Sequence, residues 1–188
     1  PYEESFLRRL YDGCRVSASR WGRTETWRPD GQDFHFMRSG CHSTYTAASV
    51  LRDLSDVLAL VNPDTVYVTA PGDCHGDHDA LGRFTTQAVA AMENPPALYY
   101  YLIHADRTDI WPERDAERFR LPPMAADHPL LRCAAERRPL PDGFPPAEKY
   151  SLIQSYTSQD PAAYNGYLLA FAKNDELVFR VERLPSRT

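Results

Sequence analysis

One short apolar segment constrains the fold of this chain more than any other feature. Thr65–Thr69 reads TVYVT, a β-branched and aromatic run typical of a buried strand. An amphipathic helix is predicted directly before it, capped by Ser43 or Thr44 and ended by Asn62-Pro63, because apolar residues recur there with a period of about 3.6. The apolar stripe consists of Ala47, Val50, Leu51, Leu54, Val57, Leu58 and Val61. A strand entered this closely from a helix belongs to a layered α/β structure.

The same pattern continues beyond the strand. Ala70-Pro71-Gly72 breaks it, and a second helix is predicted over Asp79–Met92, with Asp77 or Asp79 as its cap. A second apolar strand is predicted over Ala97–Ile103. Helix, strand, loop, helix and strand in this order predict an α/β fold with a Rossmann-like layered sheet whose strands are mostly parallel.

Weaker patterns predict the rest of a single domain, 1–188. Eight of the sixteen prolines fall between residues 112 and 146, which predicts a long irregular excursion over the surface. The other predicted elements are a helix over 5–12, a strand over 33–37, a helix over 147–156, a helix that starts at 160–161, and a strand over 177–181.

Composition narrows the range of partners and compartments. The formal net charge is −5 and no run of lysine or arginine stands out, so neither nucleic acid nor an anionic membrane is expected as a partner. No apolar run approaches the roughly 18 residues that a membrane span needs. No signal peptide is visible, which makes the cytoplasm the default compartment, although an even number of cysteines is also compatible with export. Those cysteines, interpreted as thiols or as one or two disulfides, are Cys14, Cys41, Cys74 and Cys133.

A dense polar cluster follows the first strand. Within seven residues the chain carries two histidines and three aspartates: Asp73, His75, Asp77, His78 and Asp79. Ligands of open α/β sheets bind beyond the carboxyl ends of the strands, so this loop is the predicted site. Two imidazoles three positions apart can face one centre, one on a metal and one on the substrate, and a carboxylate between them can orient a ring. The alternative interpretation is a solvated acidic turn that caps the next helix.

Two families of metal-dependent enzymes share part of this sequence motif. Metallo-β-lactamase-like hydrolases have H-x-H-x-D-H after a strand, but Asp73 stands where their first histidine belongs. Calcineurin-like phosphatases have a strand followed by G-D-x-H-G, which residues 72–76 match. The second G-D motif and the G-N-H motif of those phosphatases do not follow here.

A third family matches several motifs in order. P-D-x-V stands at 63–66 before the strand, D-x-H-x-D-H at 73–78 after it, and a tyrosine-rich strand at 99–104 ends in a histidine. Trp111-Pro112 and the Y-x-S-Q at 156–159 follow. In these motifs, over roughly residues 30 to 183, the chain resembles the PIG-L/LmbE family of zinc-dependent N-deacetylases.

The resemblance implies a chemistry and a role for each matching residue. Such enzymes use one Zn²⁺ ion to remove an N-acetyl group from an amino sugar or a related conjugate. By motif position, His78 would be a zinc ligand, and His75 would be catalytic, stabilising the oxyanion or protonating the leaving amine. Asp77 would be catalytic too, by orienting the ring of His75. Asp73 either touches substrate or binds loop amides, and His104 either lines the cleft for substrate or belongs to the core.

One motif of that family has no counterpart here. The family's N-terminal A/P-H-P-D-D string, which supplies two further zinc ligands and a general base, is absent from this sequence. The fold is therefore expected to be incomplete at the N-terminus, and residues 1–188 alone to be inactive and poorly stable, with the missing segment as a possible partner. The alternatives are a metallophosphoesterase, or a non-catalytic carbohydrate-binding protein on the same fold. Trp21 and Trp27 fit either buried anchors or surfaces that stack on a sugar ring.

Overall fold

The elements alternate as an α/β chain does through the first half and become irregular in the second. The computed structural model describes residues 6–13, 15–28, 32–106, 108, 110–157 and 166–185. The helices are α1 Phe6–Tyr11, α2 Phe34–Ser39, α3 Ala47–Val61, α4 Gly76–Ala91 and α5 Pro146–Gln154. The strands are β1 Thr65–Thr69, β2 Ala97–Tyr101, β3 Ala134–Pro139 and β4 Asp175–Arg180, and short 3-10 helices lie at Pro129–Arg132 and Leu168–Phe171. Among the helices within these ranges, none has the length and apolar character that crossing a membrane requires.

The sheet is mixed, with strand order β1-β2-β4-β3. β1 and β2 are parallel, whereas β4 runs antiparallel to both β2 and β3. The predicted α/β class is confirmed, but the prediction of a mostly parallel sheet is wrong. Parallel neighbours need a helical crossover, which α4 provides between β1 and β2; the irregular second half joins antiparallel neighbours, which need none. The Rossmann-like layering stays a prediction.

Helix α4 packs directly on the parallel pair of strands. A Cβ atom at Gly82 would lie 2.4 Å from the carbonyl oxygen of Thr69, so only glycine allows the helix to come this close to β1. The hydroxyls of Thr86 and Tyr100 lie 2.5 Å apart and join the helix to β2. The apolar core beneath includes Val68, Ala88, Val89, Leu98 and Tyr100. This packing fixes where β1 ends and α4 begins, and therefore fixes the loop between them.

The predicted strand over 33–37 is wrong, because that segment forms α2. The Asp33 side chain accepts a hydrogen bond from the Phe36 N–H at 2.9 Å and caps the helix. Gly40 ends it in the left-handed region at φ 75°. Local capping therefore outweighs the strand-like aromatic alternation of the segment.

Two further differences concern the second half and the caps. The stretch 112–146 was expected to be irregular throughout, yet it contains β3, which pairs along its whole length with β4. Thr46 caps α3 in place of Ser43 or Thr44, and His75 caps α4 in place of an aspartate. The predicted helix start at 160–161 lies outside the described residues.

Candidate active site

The polar loop lies at the carboxyl ends of β1 and β2. Ala70 donates a backbone hydrogen bond to Tyr101 at 2.8 Å, and Cys74 donates one to His104 at 2.9 Å. These bonds tie the loop after β1 to the segment after β2. Two stretches of polar residues that are distant in sequence thus meet at one edge of the sheet, where α/β proteins place their ligands.

Three imidazole rings come together at this edge. The ring centroids of His75 and His78 are 4.6 Å apart, and His104 lies 5.4 Å from His78 and 5.9 Å from His75. The ring planes differ by only 26° to 30°. We call His75, His78 and His104 the histidine cluster. His104 belongs to this cluster and not to the apolar core, and its contact with substrate stays a prediction.

Asp73 is the buried support of the histidine cluster, with a side chain that is 0% exposed. One carboxylate oxygen accepts the N–H of His75 at 2.8 Å, and the other accepts the N–H groups of Ile103 and His104, each at 3.0 Å. Burial alone would raise the pKa of Asp73, but the His78 imidazole and these N–H donors hold it below its ordinary value. The placement favours the loop-amide role of Asp73 over contact with substrate.

His78 turns one ring nitrogen towards that carboxylate. Its Nδ1 lies 3.3 Å from Oδ1 of Asp73. The Nδ1 atom is buried and lacks good hydrogen-bond geometry, so the contact is mainly electrostatic. With Nδ1 facing a carboxylate, Nε2 is the nitrogen left for chemistry, as in carboxylate–histidine pairs at metal and acid–base sites.

His75 is held in a different way. Its Nδ1 accepts the N–H of Asp77 at 3.3 Å and caps α4, so the neutral ring carries its proton on Nε2. Burial, and then the neighbouring charge of His78, lower the pKa of His75. His75 is therefore placed as a neutral hydrogen-bond donor.

The carboxylate of Asp77 faces α1. It accepts the N–H of Leu7 at 2.7 Å, while Asp79 accepts from Arg8 at 2.5 Å and from Gly72 at 2.7 Å. Two aspartates of the motif thus fasten α1 and the loop to the start of α4. In this structure Asp73, acting on His78, is the carboxylate that braces an imidazole, and a catalytic role of Asp77 stays a prediction.

Tyr167 completes the wall beside the histidine cluster. Its ring lies 5.4 Å from that of His104, with the planes only 19° apart, and its hydroxyl donates to the carbonyl of Ile103. The side chain is 5% exposed. No motif in the sequence pointed to Tyr167, because its contact depends on how distant segments fold together.

A close approach shapes the other side of the loop. Gly72 has φ 93°, and a Cβ atom there would lie 2.8 Å from Nε2 of His128. His128 Nε2 donates to the Gly72 carbonyl at 3.2 Å, while its Nδ1 accepts the N–H of Leu130. His128, the N-cap of the 3-10 helix at Pro129–Arg132, therefore packs against the loop at Gly72.

The described residues do not by themselves form a complete zinc site. Within the described ranges, no group of three or more histidine, cysteine, aspartate or glutamate side chains is placed to hold a metal ion. The role of His78 as a zinc ligand stays a prediction.

The three cysteines in the described part of the chain, Cys41, Cys74 and Cys133, are thiols. The Sγ of Cys74 donates weakly to the Ala105 carbonyl at 3.7 Å. Burial raises the pKa of Cys133. Cys14 lies outside the described residues.

Comparison of the chain with protein-family models, with curated proteins and with solved structures gave no match. The resemblance to PIG-L/LmbE deacetylases therefore stands on its motifs alone. The geometry of the histidine cluster is the stronger ground for a functional hypothesis.

Proposed function

We propose that this protein is a hydrolase that removes an N-acyl group from an amino sugar or sugar conjugate. The observation that carries the proposal is a pair of imidazoles 4.6 Å apart that are held in opposite ways. His78 has a buried carboxylate behind it, whereas His75 is a neutral helix cap. Such a pair can accept a proton at one ring and donate a hydrogen bond at the other, which amide hydrolysis requires.

The Asp73–His78 pair is the proposed base. Asp73 keeps the proton of His78 on Nδ1, which leaves the Nε2 lone pair to take a proton from water as the water oxygen attacks the amide carbon. The carboxylate is positioned by three backbone N–H groups and cannot follow the ring outward. His78 is therefore held ready for proton transfer.

His75 is the proposed partner of the oxyanion. Its Nε2–H would donate to the carbonyl oxygen as negative charge develops there. When the carbon–nitrogen bond breaks, the proton taken up by His78 passes to the leaving nitrogen, giving an amine and a carboxylate. His104, stacked on Tyr167, would contact the substrate beside this pair.

Zinc remains a proposal from the resemblance. A zinc ion on Nε2 of His78 would supply Lewis-acid chemistry and would replace that nitrogen's role as a base. Its other protein ligands would have to come from outside the described residues. Metal analysis of the purified protein distinguishes the cases: about one zinc per chain, lost in His78→Ala, supports the metal-dependent form.

The test of function is acetate release from N-acetylglucosamine and its conjugates by the protein expressed from its complete gene. His78→Ala and His75→Ala should each lower kcat by about a hundredfold or more. His42→Gln is the matched control, because His42 pairs with Asp33, the N-cap of α2, and is not part of the histidine cluster. Two alternative outcomes would contradict the proposal. Hydrolysis of a phosphate ester with two bound metals favours a metallophosphoesterase, and sugar binding that survives His78→Ala without hydrolysis favours a carbohydrate-binding protein.

A further inference from the structure

Two tryptophans stand out on the surface of segment 15–28. Trp21 is 74% exposed and Trp27 is 51% exposed, whereas Trp111, the third tryptophan of the chain, is 4% exposed. Indoles carry the largest flat apolar surface of any side chain, and placing two of them in water within one short segment forgoes a large burial energy. Exposed tryptophan is characteristic of binding surfaces.

Each exposed indole lies beside a guanidinium group. The Cζ of Arg20 is 4.2 Å from the ring of Trp21, and the Cζ of Arg23 is 4.2 Å from the ring of Trp27. The charged residues of the segment are Arg15, Arg20, Arg23, Arg28 and Glu25. A chain with net charge −5 thus has a small basic and aromatic surface, which we call the Arg–Trp surface and define as residues 15–28.

Backbone hydrogen bonds hold the Arg–Trp surface in a defined conformation. Gly22 donates to the Ser19 carbonyl at 2.9 Å, and Ser19 donates to the Arg23 carbonyl at 2.7 Å, which makes a tight turn with Gly22 at φ 77°. Beyond the turn, Glu25 pairs with Thr44 in an antiparallel bridge. The segment therefore presents its aromatic side chains from a fixed base.

A chain of contacts joins the Arg–Trp surface to the loop that carries the histidine cluster. The backbone of the Arg–Trp surface is joined to Tyr45, which donates to the Thr24 carbonyl at 2.8 Å, just before α3 begins. The ring of Tyr45 packs 5.0 Å from Phe6, whose neighbour Leu7 donates to Asp77 at 2.7 Å. This chain of contacts runs from the Arg–Trp surface to the motif itself.

We propose that the Arg–Trp surface is a second subsite that binds an anionic oligosaccharide, an inference that rests on the proposed action on amino sugars. The apolar face of a pyranose ring fits against an exposed indole, and guanidinium groups pair with sugar carboxylates or sulfates. Two indoles match two sugar rings. A long polyanion such as single-stranded nucleic acid would extend beyond these arginines onto an otherwise acidic protein, so a short charged saccharide is the better match.

The experiment compares two tetrasaccharides by isothermal titration calorimetry. One alternates glucuronate with N-acetylglucosamine, and the other contains four neutral N-acetylglucosamine units. The charged one should bind about tenfold or more tightly than the neutral one and weaken as salt rises. Trp21→Ala and Trp27→Ala should each weaken binding of the charged ligand by about tenfold. Leu60→Ala and Arg183→Gln remove an exposed apolar and an exposed cationic side chain outside the segment and should leave the affinity unchanged.

The outcomes separate this inference from the proposed function. If acetate release depends on His78 but neither tetrasaccharide binds through the tryptophans, the subsite is refuted and the function stands. If binding depends on both tryptophans but the wild-type protein releases no acetate, the function fails while the Arg–Trp surface remains a saccharide site. Tighter binding of a single-stranded oligonucleotide than of either saccharide overturns the inference in favour of nucleic acid.

Discussion

At the scale of single residues, the conformation and surroundings of Gly72 predict a large loss of stability on substitution. Gly72 has φ 93°, and a Cβ atom added there would lie 2.8 Å from the side chain of His128. Gly143 has a similar φ of 79° but open space around the Cβ position. Gly72→Ala should therefore cost about 3 kcal/mol or more of unfolding free energy, and Gly143→Ala about 1 kcal/mol, in urea titrations. Equal losses would show that the contact with His128 yields without cost.

Asp73 provides a second test at this scale. Asp73→Asn keeps the shape of the side chain but replaces one acceptor oxygen with a donor that faces backbone N–H groups. The buried mismatch should cost about 2 kcal/mol of unfolding free energy. Chemical denaturation measures it, with the exposed Asp142→Asn as control. A stable Asp73→Asn variant with full activity would contradict both the bracing role and the proposed base.

How far the site could be predicted depends on sequence distance. His75, His78 and Asp73 lie within one local motif, so their common location follows from the strand and the break after it. His104 comes close to them only because β1 and β2 pair in parallel register. The sequence does not determine that register, so it leaves the location of His104 open between the cleft and the core. Tyr167 gave no signal at all, since its stacking on His104 is a purely tertiary contact.

At the scale of elements, local signals decided which predictions succeeded. The end of α3 and both bounds of β1 agree with the sequence prediction, because a helical stripe and a β-branched run are separated by Asn62-Pro63. The aromatic alternation over 33–37 predicts a strand, but the cap at Asp33 favours the helix α2 that the segment forms. The sequence does not predict β3, because a polar, proline-flanked segment becomes a strand only by pairing with β4.

The cap of α2 also gives a pH dependence. Burial would raise the pKa of Asp33, but hydrogen bonds from Thr26, the Phe36 N–H and His42 lower it from 3.8 to about 2. A depressed folded-state pKa contributes stability above 3.8 that is lost as the pH falls towards 2. Asp33→Asn can still cap, so the difference in unfolding free energy between wild type and this variant should be constant above about pH 5 and shrink below it. Urea titrations at intervals of about one pH unit, from about pH 6 to about pH 2, measure this difference. A difference that does not change with pH would place the Asp33 pKa at its ordinary value.

At the scale of the whole molecule, the two halves of the chain share one apolar core. Trp111 and Phe119, from the proline-rich half, belong to the same buried cluster as Val68 and Leu98 from the parallel pair of strands. At the start of β4, the ammonium of Lys173, 3% exposed as a residue, donates to the carbonyls of Glu113 and Arg114. The histidine cluster thus lies on a sheet that the second half completes.

A shared core predicts that the described halves unfold together. In Trp21→Phe/Trp27→Phe, fluorescence reports on Trp111 alone, because the chain has three tryptophans, and far-UV circular dichroism is dominated by α3 and α4. The two signals should give coincident urea midpoints, and Lys173→Met should lower both equally, since it leaves the carbonyls of Glu113 and Arg114 without the Lys173 donor. Loss of the Trp111 signal at lower urea would show that the proline-rich half opens first. His128, which belongs to that half, contacts the loop of the histidine cluster at Gly72. The loop would then open before the sheet that positions it.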